Sequence, residues 1–183
     1  MAFDLVVRNG TVVDGSGGVE VDDARAAAGV GNESGQRVTE AGNRGQVDVA
    51  LDDEHVGMFV VDVSGHGVPS SLLSVTIGAF LTNRVSDSSL LVKPGKDGGP
   101  PVVVPPAEVV TQLNNLFQAD NQAGLYFTIL YGVLHVPTGR LRFCSGGHPP
   151  LLHVPGQGPW KLFEVESFPV GFVPDVEFTE ETL

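Results

Sequence analysis

Two apolar runs constrain this chain more than anything else in it: HVGMFVVDV over 55–63 and LYFTILYGVLHV over 125–136. Both are rich in β-branched and aromatic residues. Both fall well short of the roughly 20 apolar residues that a membrane-crossing helix needs. The second is also broken by Tyr, Thr and His. Each reads as a strand, the first of them buried. After the second comes Pro137-Thr138-Gly139, a turn, and then RLRFC over 140–144 as a returning strand.

The rest of the pattern alternates between helix and hairpin signals. A helix is predicted from about Pro69, because proline is tolerated in a first turn and Leu73, Ile77, Phe80 and Leu81 fall on one face. A second runs over about 106–118, with Val109, Val110, Leu113, Leu116 and Phe117 at helical spacing. Between them, residues 86–105 are rich in Ser, Lys, Gly and Pro and read as a loop. Residues 150–154 and 160–166 form another predicted hairpin around Pro155-Gly156-Gln157-Gly158-Pro159. Val176-Glu177-Phe178-Thr179 alternates like a strand, with nothing after it to pair or cap it. At the other end, LVVRNGTVV over 5–13 reads as a hairpin turning at Asn9-Gly10. From 14 to 46 the apolar residues are only Ala and four Val, too little to offset ordering entropy, so this stretch is expected to be loose apart from a short helical turn over 24–28. The predicted organisation is an N-terminal hairpin and loose segment over 1–46 and a domain over 47–183. Helices and antiparallel hairpins segregate along the chain, which predicts an α+β fold.

Charge narrows the function. With 10 Lys and Arg against 22 Asp and Glu the net charge is -12, which argues against general binding to nucleic acid or to an anionic membrane. Asp4 stands where a signal peptide would begin its apolar region, and Cys144 is the sole cysteine, so no disulfide framework forms within the chain. A cytoplasmic chain is expected.

Among residues that carry chemistry, the sharpest group is Val61-Asp62-Val63-Ser64-Gly65-His66-Gly67. A carboxylate closing a buried strand, followed at once by a glycine turn, puts an acid and free backbone carbonyls at the rim of a sheet. Hard divalent cations take such oxygen ligands. The plain alternative is a strand leaving the core through a polar turn. Cys144-Ser145-Gly146-Gly147-His148-Pro149-Pro150 reads as a bend carrying a surface histidine. Cys144 lies in an apolar strand without a charge to activate it. Ser64, Ser70 and Ser71 sit near His66 without a G-x-S-x-G elbow. The five histidines show no H-x-H or H-E-x-x-H spacing, which excludes the usual histidine-held zinc site. Asp52-Asp53-Glu54 reads as a solvated hairpin tip.

Three stretches together carry a resemblance. LDDEHVGMFVVDVSGHGVPSSLLSVTIGAFLT over 51–82, LYFTILYGVLHVPTGRLRFCSGGHPPLLHV over 125–154 and FPVGFVPDVEFTEETL over 168–183 resemble, in order and spacing, the PPM-type metal-dependent protein phosphatases of the bacterial SpoIIE/RsbU branch. The resemblance implies an αββα sandwich, here incomplete at the C-terminus. It implies two Mn²⁺ or Mg²⁺ ions, a water whose pKa they lower, and hydrolysis of phosphoserine or phosphothreonine on a protein without a covalent enzyme intermediate. The implied substrate class is a phosphoprotein such as an anti-sigma-factor antagonist. Asp62 matches the metal-bridging aspartate and Val63 the residue offering its backbone carbonyl, while Gly65, His66 and Gly67 match the loop at the site.

Two departures from that pattern stand out. The family's upstream Gly-Gly-Asp-like motif corresponds to Gly42-Asn43-Arg44-Gly45-Gln46-Val47-Asp48, so the expected acid falls near Asn43 or Arg44 and is missing unless Asp48 takes its place. The downstream Asp-Gly and Asp-Asp/Asn motifs would lie past Leu183. A catalytically impaired remnant acting as a binding or regulatory module is therefore the second reading. The third is an amidohydrolase fragment, because residues 3–17 (FDLVVRNGTVVDGSG) resemble the opening hairpin of that superfamily, although its H-x-H motif is absent.

Overall fold

The computed structural model describes the backbone of residues 6–8, 11–13, 36–41, 44–121, 124–155 and 157–183, with their side chains from 49 onward except at 121. Twelve strands and two α-helices are assigned among them. The N-terminal hairpin is β1 (Val6–Arg8) against β2 (Thr11–Val13), paired antiparallel as predicted. Its Asn9-Gly10 turn lies outside the described residues, as does the helical turn expected over 24–28.

The run at 55–63 forms β5 (His55–Val63), and residues 125–136 contain β8 (Phe127–His135). They pair antiparallel along their whole length at the centre of a six-stranded sheet, in the order β12-β9-β8-β5-β4-β3. On one side lies β9 (Arg140–Gly146) and then β12 (Glu181–Thr182). On the other lie β4 (Arg44–Ala50) and β3 (Gln36–Ala41). Residues 14–46 were expected to be loose. Of these, 36–41 and 44–46 are strand instead, because backbone pairing of β3 to β4 and of β4 to β5 supplies what their polar composition does not suggest. A smaller sheet, ordered β11-β10-β1-β2, joins β10 (Leu151–Val154) and β11 (Lys161–Phe163) to the N-terminal hairpin, with β1 parallel to β10.

Alternation along β5 and β8 gives the large sheet two apolar faces. Phe59, Val61, Val63, Phe127, Ile129 and Tyr131 pack under α1 (Val68–Phe80) and α2 (Pro106–Leu116). Met58, Val60 and Leu130 meet Leu141, Phe143 and Leu151 toward the small sheet. Val109, Val110 and Leu113 of α2 are wholly buried, each contributing about 1.5–3 kcal/mol of apolar transfer. The fold is α+β, with a helical layer, two larger sheets and one two-stranded sheet among the described residues. No helix among them is long and apolar enough to cross a membrane.

Two connections depart from expectation. The loop predicted over 86–105 contains an anchored segment: Leu90, Leu91 and Val92 are buried, and β6 (Val92–Lys93) pairs with β7 (Val102–Val103). The Ser89 hydroxyl donates to the Thr82 carbonyl and accepts from the Leu91 and Val92 amides, satisfying a chain that has left helix geometry. The strand expected at 176–179 is absent. Pairing begins at Glu181, opposite Phe143, and the Leu183 and Leu141 backbones exchange two hydrogen bonds. Phe178 is buried while its neighbours are not, so one anchored side chain rather than a ladder produces the alternation.

Candidate functional site

Asp62 stands one residue before the end of β5, half-buried, as the strand leaves the core. Its register partners are Thr128 on β8 and Arg44 on β4. Beyond it, the Ser64 amide donates to the Tyr126 carbonyl, and the Tyr126 amide donates back to the Ser64 hydroxyl at 3.0 Å. The loop is thus tied to the chain entering β8. Gly65 has φ +80° and Gly67 has φ +87° with ψ -162°, the latter a conformation open essentially to glycine alone. That turn delivers the chain into α1, whose first turn has neither a capping side chain nor an acid. His66 lies between the two glycines and is exposed, and Val63 is buried on the helical face.

Across β8, the Thr128 hydroxyl and His148 Nδ1 are 2.8 Å apart. The expectation of a surface histidine is corrected here: His148 is only 7% exposed. The Gly146–Gly147 corner folds back over the sheet, with Gly147 bridged to Ile129, and carries His148 inward. The corner is locked by serines. The His148 amide donates to the Ser145 hydroxyl, which donates to the His148 carbonyl; the Gly147 amide donates to Ser167 Oγ, which donates to the Ser145 carbonyl. Thr128 and Ser167 were not singled out from the sequence. The available signal was a polar β-branched residue inside an apolar run.

Asp48 does not share this place. It pairs with Met58, and from Met58 to Asp62 the strand runs about 13 Å. The position level with Asp62 is Arg44, where the expected acid is missing; Asn43 lies outside the described residues. Among the described residues no group of three or more His, Cys, Asp or Glu gathers that could hold a metal ion. The described donors therefore fit a divalent centre only in part, with the Asp62 carboxylate and the backbone carbonyls beside it.

Other groups settle into structural roles. Cys144 is buried, and burial first, then the negative charge of Glu180, pushes its thiol up to about 12. Asp52 closes the β4–β5 tip by accepting from the Glu54 and His55 amides and lying 2.9 Å from His55 Nδ1. Burial alone would raise its carboxyl, but those hydrogen bonds and the charge of His55 outweigh it and hold it below the ordinary value.

Solved structures with this fold include PP2C phosphatase domains. The SiaA-PP2C domain of Pseudomonas aeruginosa matches with a TM-score of 0.59 at 14% identity, covering 87% of this chain and 59% of that one. The RsbU and RsbW domains of Rv1364c from Mycobacterium tuberculosis match with a TM-score of 0.57 at 20% identity, over 79% of this chain and 36% of that one. The PP2C phosphatase domain of SpoIIE from Bacillus subtilis matches with a TM-score of 0.54 at 11% identity, over 82% of this chain and 39% of that one. The fold class is thus the PP2C phosphatase domain. Residues 52–183 match the family model of Stage II sporulation protein E (SpoIIE), and the chain belongs to that family. Phosphoserine phosphatase RsbP of Bacillus subtilis (strain 168) is 28% identical over 133 residues, which is 73% of this chain and 30% of the relative's own length.

Proposed function

We propose that this chain is a phosphatase domain that removes phosphate from serine or threonine of a protein in bacterial signalling of the sigma-factor-regulating kind. The observation that carries the reading is the family match over 52–183, which takes in Asp62, the loop after it, Thr128 and His148. The name of the relative, a phosphoserine phosphatase, supports the reaction type. The substrate class is a phosphoprotein, with a phosphorylated anti-sigma-factor antagonist as the first candidate, in the cytoplasm.

In this reading Asp62 is the metal-ligating carboxylate and Val63 offers its backbone carbonyl. Mn²⁺ or Mg²⁺, when bound, supplies Lewis acidity toward phosphoryl oxygens. The chain's own residues do the positioning. Gly65 and Gly67 turn the backbone so that α1 begins beside the strand end. Its uncapped first-turn amides favour an anion. The Thr128–His148 pair holds the end of β8 opposite Asp62.

The second reading, a phosphatase-fold module that binds a partner with little turnover, draws support from the lack, among the described residues, of any group of three or more His, Cys, Asp or Glu that could hold a metal ion, and from Arg44 at the register position opposite Asp62. Hydrolysis of a phosphoserine peptide and of p-nitrophenyl phosphate, with Mn²⁺, Mg²⁺ or EDTA, decides between them. Turnover that requires metal and is lost in Asp62→Ala supports the enzyme. A folded chain without turnover supports the module.

A further inference from the structure

We infer that Tyr126 and Phe172 form an aromatic platform beside the Asp62 loop, which takes an apolar side chain flanking the phosphoserine of a protein substrate. The inference rests on the phosphatase reading and names what that site recognises besides phosphate. The β5–β8 ladder runs one pair past Val63 and Phe127, because the Ser64 amide donates to the Tyr126 carbonyl. Side chains alternate along paired strands, so Ser64 and Tyr126 stand on the face of Asp62 and Thr128. Tyr126 lies two residues from Thr128, about 7 Å along the strand. An extended segment of substrate covers about the same distance in two residues. A phosphoserine held at Asp62 thus brings a neighbour within two positions to Tyr126.

Phe172 supplies the exposed ring at that place. Its centroid is 5.3 Å from that of Tyr126, edge-to-face, and the residue is 57% exposed. The turn that carries it is tied down from several sides. The Phe172 amide donates to the Pro169 carbonyl, the Gly171 amide to Asn114 Oδ1, and the Ala119 amide to the Gly171 carbonyl. Val170 exchanges two hydrogen bonds with Phe127. Gly171 has φ +84°, and a Cβ there would collide with the Phe117 carbonyl, so the turn packs directly on the end of α2. Tyr126 is half-buried, and its amide is bonded to Ser64 Oγ. A ring held in water by a fixed turn loses little freedom when it is covered, so its burial goes mostly into affinity. Ring faces and edges of this kind favour an apolar or aromatic neighbour.

The test is an NMR titration of the ¹⁵N-labelled full chain in Mg²⁺ with peptides carrying a non-hydrolysable phosphonate analogue of phosphoserine. One peptide has only glycine around the analogue. Four others place a single leucine at one of the two positions before it or after it. The expected result is that at least one leucine peptide binds about fivefold tighter than the glycine peptide and shifts the Tyr126 and Phe172 amides. The gain should vanish in Phe172→Ala and persist in Trp160→Ala, which removes another exposed aromatic, in the β10–β11 connection. Phe172→Gln carries the test if Phe172→Ala loosens the turn. Equal affinity for all five peptides overturns the inference, and so does a gain that survives Phe172→Ala or is lost equally in Trp160→Ala. Hydrolysis of p-nitrophenyl phosphate by the wild type is read separately. Turnover without a leucine preference sinks the platform and leaves the phosphatase. A leucine preference without turnover leaves the platform on a binding module. Binding by none of the peptides overturns the platform whatever the turnover.

Discussion

Asn114 is the side chain whose removal tests most about how the site is held. It is wholly buried on α2. Its Oδ1 accepts from the Gly171 amide at 2.7 Å, and its Nδ2 donates to the Val173 carbonyl at 3.0 Å. The segment it holds includes Val170, whose amide and carbonyl both pair with Phe127, next to Thr128 on β8. Asn114→Ala strands a buried amide and a half-buried carbonyl. A stranded buried group costs about 1–3 kcal/mol, and the carbonyl falls at the low end because it keeps some water, so the loss is about 2–4 kcal/mol. For a chain of this size that lowers the thermal midpoint by roughly 5–15 °C.

Asn114→Asp separates the two bonds. The new carboxylate still accepts from Gly171 but faces the Val173 carbonyl without a proton to give. Burial and that carbonyl raise its folded pKa above the unfolded value of about 3.9. A carboxyl with a raised folded pKa binds its proton more tightly in the native state. Full stability is therefore present below pH about 4 and is lost, at up to about 1.4 kcal/mol per pH unit, as pH rises toward the folded pKa. Urea unfolding of the wild type, Asn114→Ala and Asn114→Asp across pH measures this directly. A loss under about 1 kcal/mol in Asn114→Ala, or a penalty in Asn114→Asp that does not grow with pH, would refute the reasoning.

Further expectations follow from the same geometry. Thr128→Val should cost about 1–3 kcal/mol by removing the hydroxyl partner of His148, while Thr128→Ser should stay near wild type; urea midpoints compare them. Cys144, with its thiol pushed up to about 12, should react with a thiol reagent near pH 8 on the order of a thousandfold slower than an exposed cysteine, and at the ordinary rate once the chain is unfolded. Asp52 has a depressed folded pKa, so the stability it contributes is present above the ordinary carboxylate range and lost as pH falls through the lower folded value; Asp52→Asn should flatten the acid limb of a stability-pH curve.

How far the sequence spoke for the structure depends on where each residue's partner lies. The strand at His55–Val63, the helices and the Pro137–Gly139 turn depend on local period and turn chemistry, which a single sequence displays. The strand Gln36–Ala41 depends on a neighbouring backbone and was hidden behind polar composition. Leu90-Leu91-Val92 was hidden by the Ser, Gly and Pro around it, although the apolar triplet itself was visible. At the site, Asp62 and its glycine turn were legible because a carboxylate ending an apolar strand is unusual in itself. The Thr128–His148 pair spans 20 residues and a chain reversal, so neither residue announces the other. The backbone register, which a single sequence does not display, sets Asp48 four residues along the ladder from the position opposite Asp62.

The position opposite Asp62 links the site to the stability of the fold. Two carboxylates directly opposed in a ladder destabilise it unless a cation lies between them. In this chain the residue at that register position is Arg44, so the ladder does not set a second carboxylate directly opposite Asp62. The apolar side chains that hold β5 to its neighbours, such as Phe59 and Val61 on one face and Met58 and Val60 on the other, include no metal-ligating group. Removing divalent cations should therefore leave the unfolding midpoint unchanged within about 1 °C, whereas a chain whose native state is held together by tight cation binding loses stability in proportion to its occupancy. A drop of several degrees in EDTA, restored by Mn²⁺, would show that a cation does bear on the fold and would refute this reasoning.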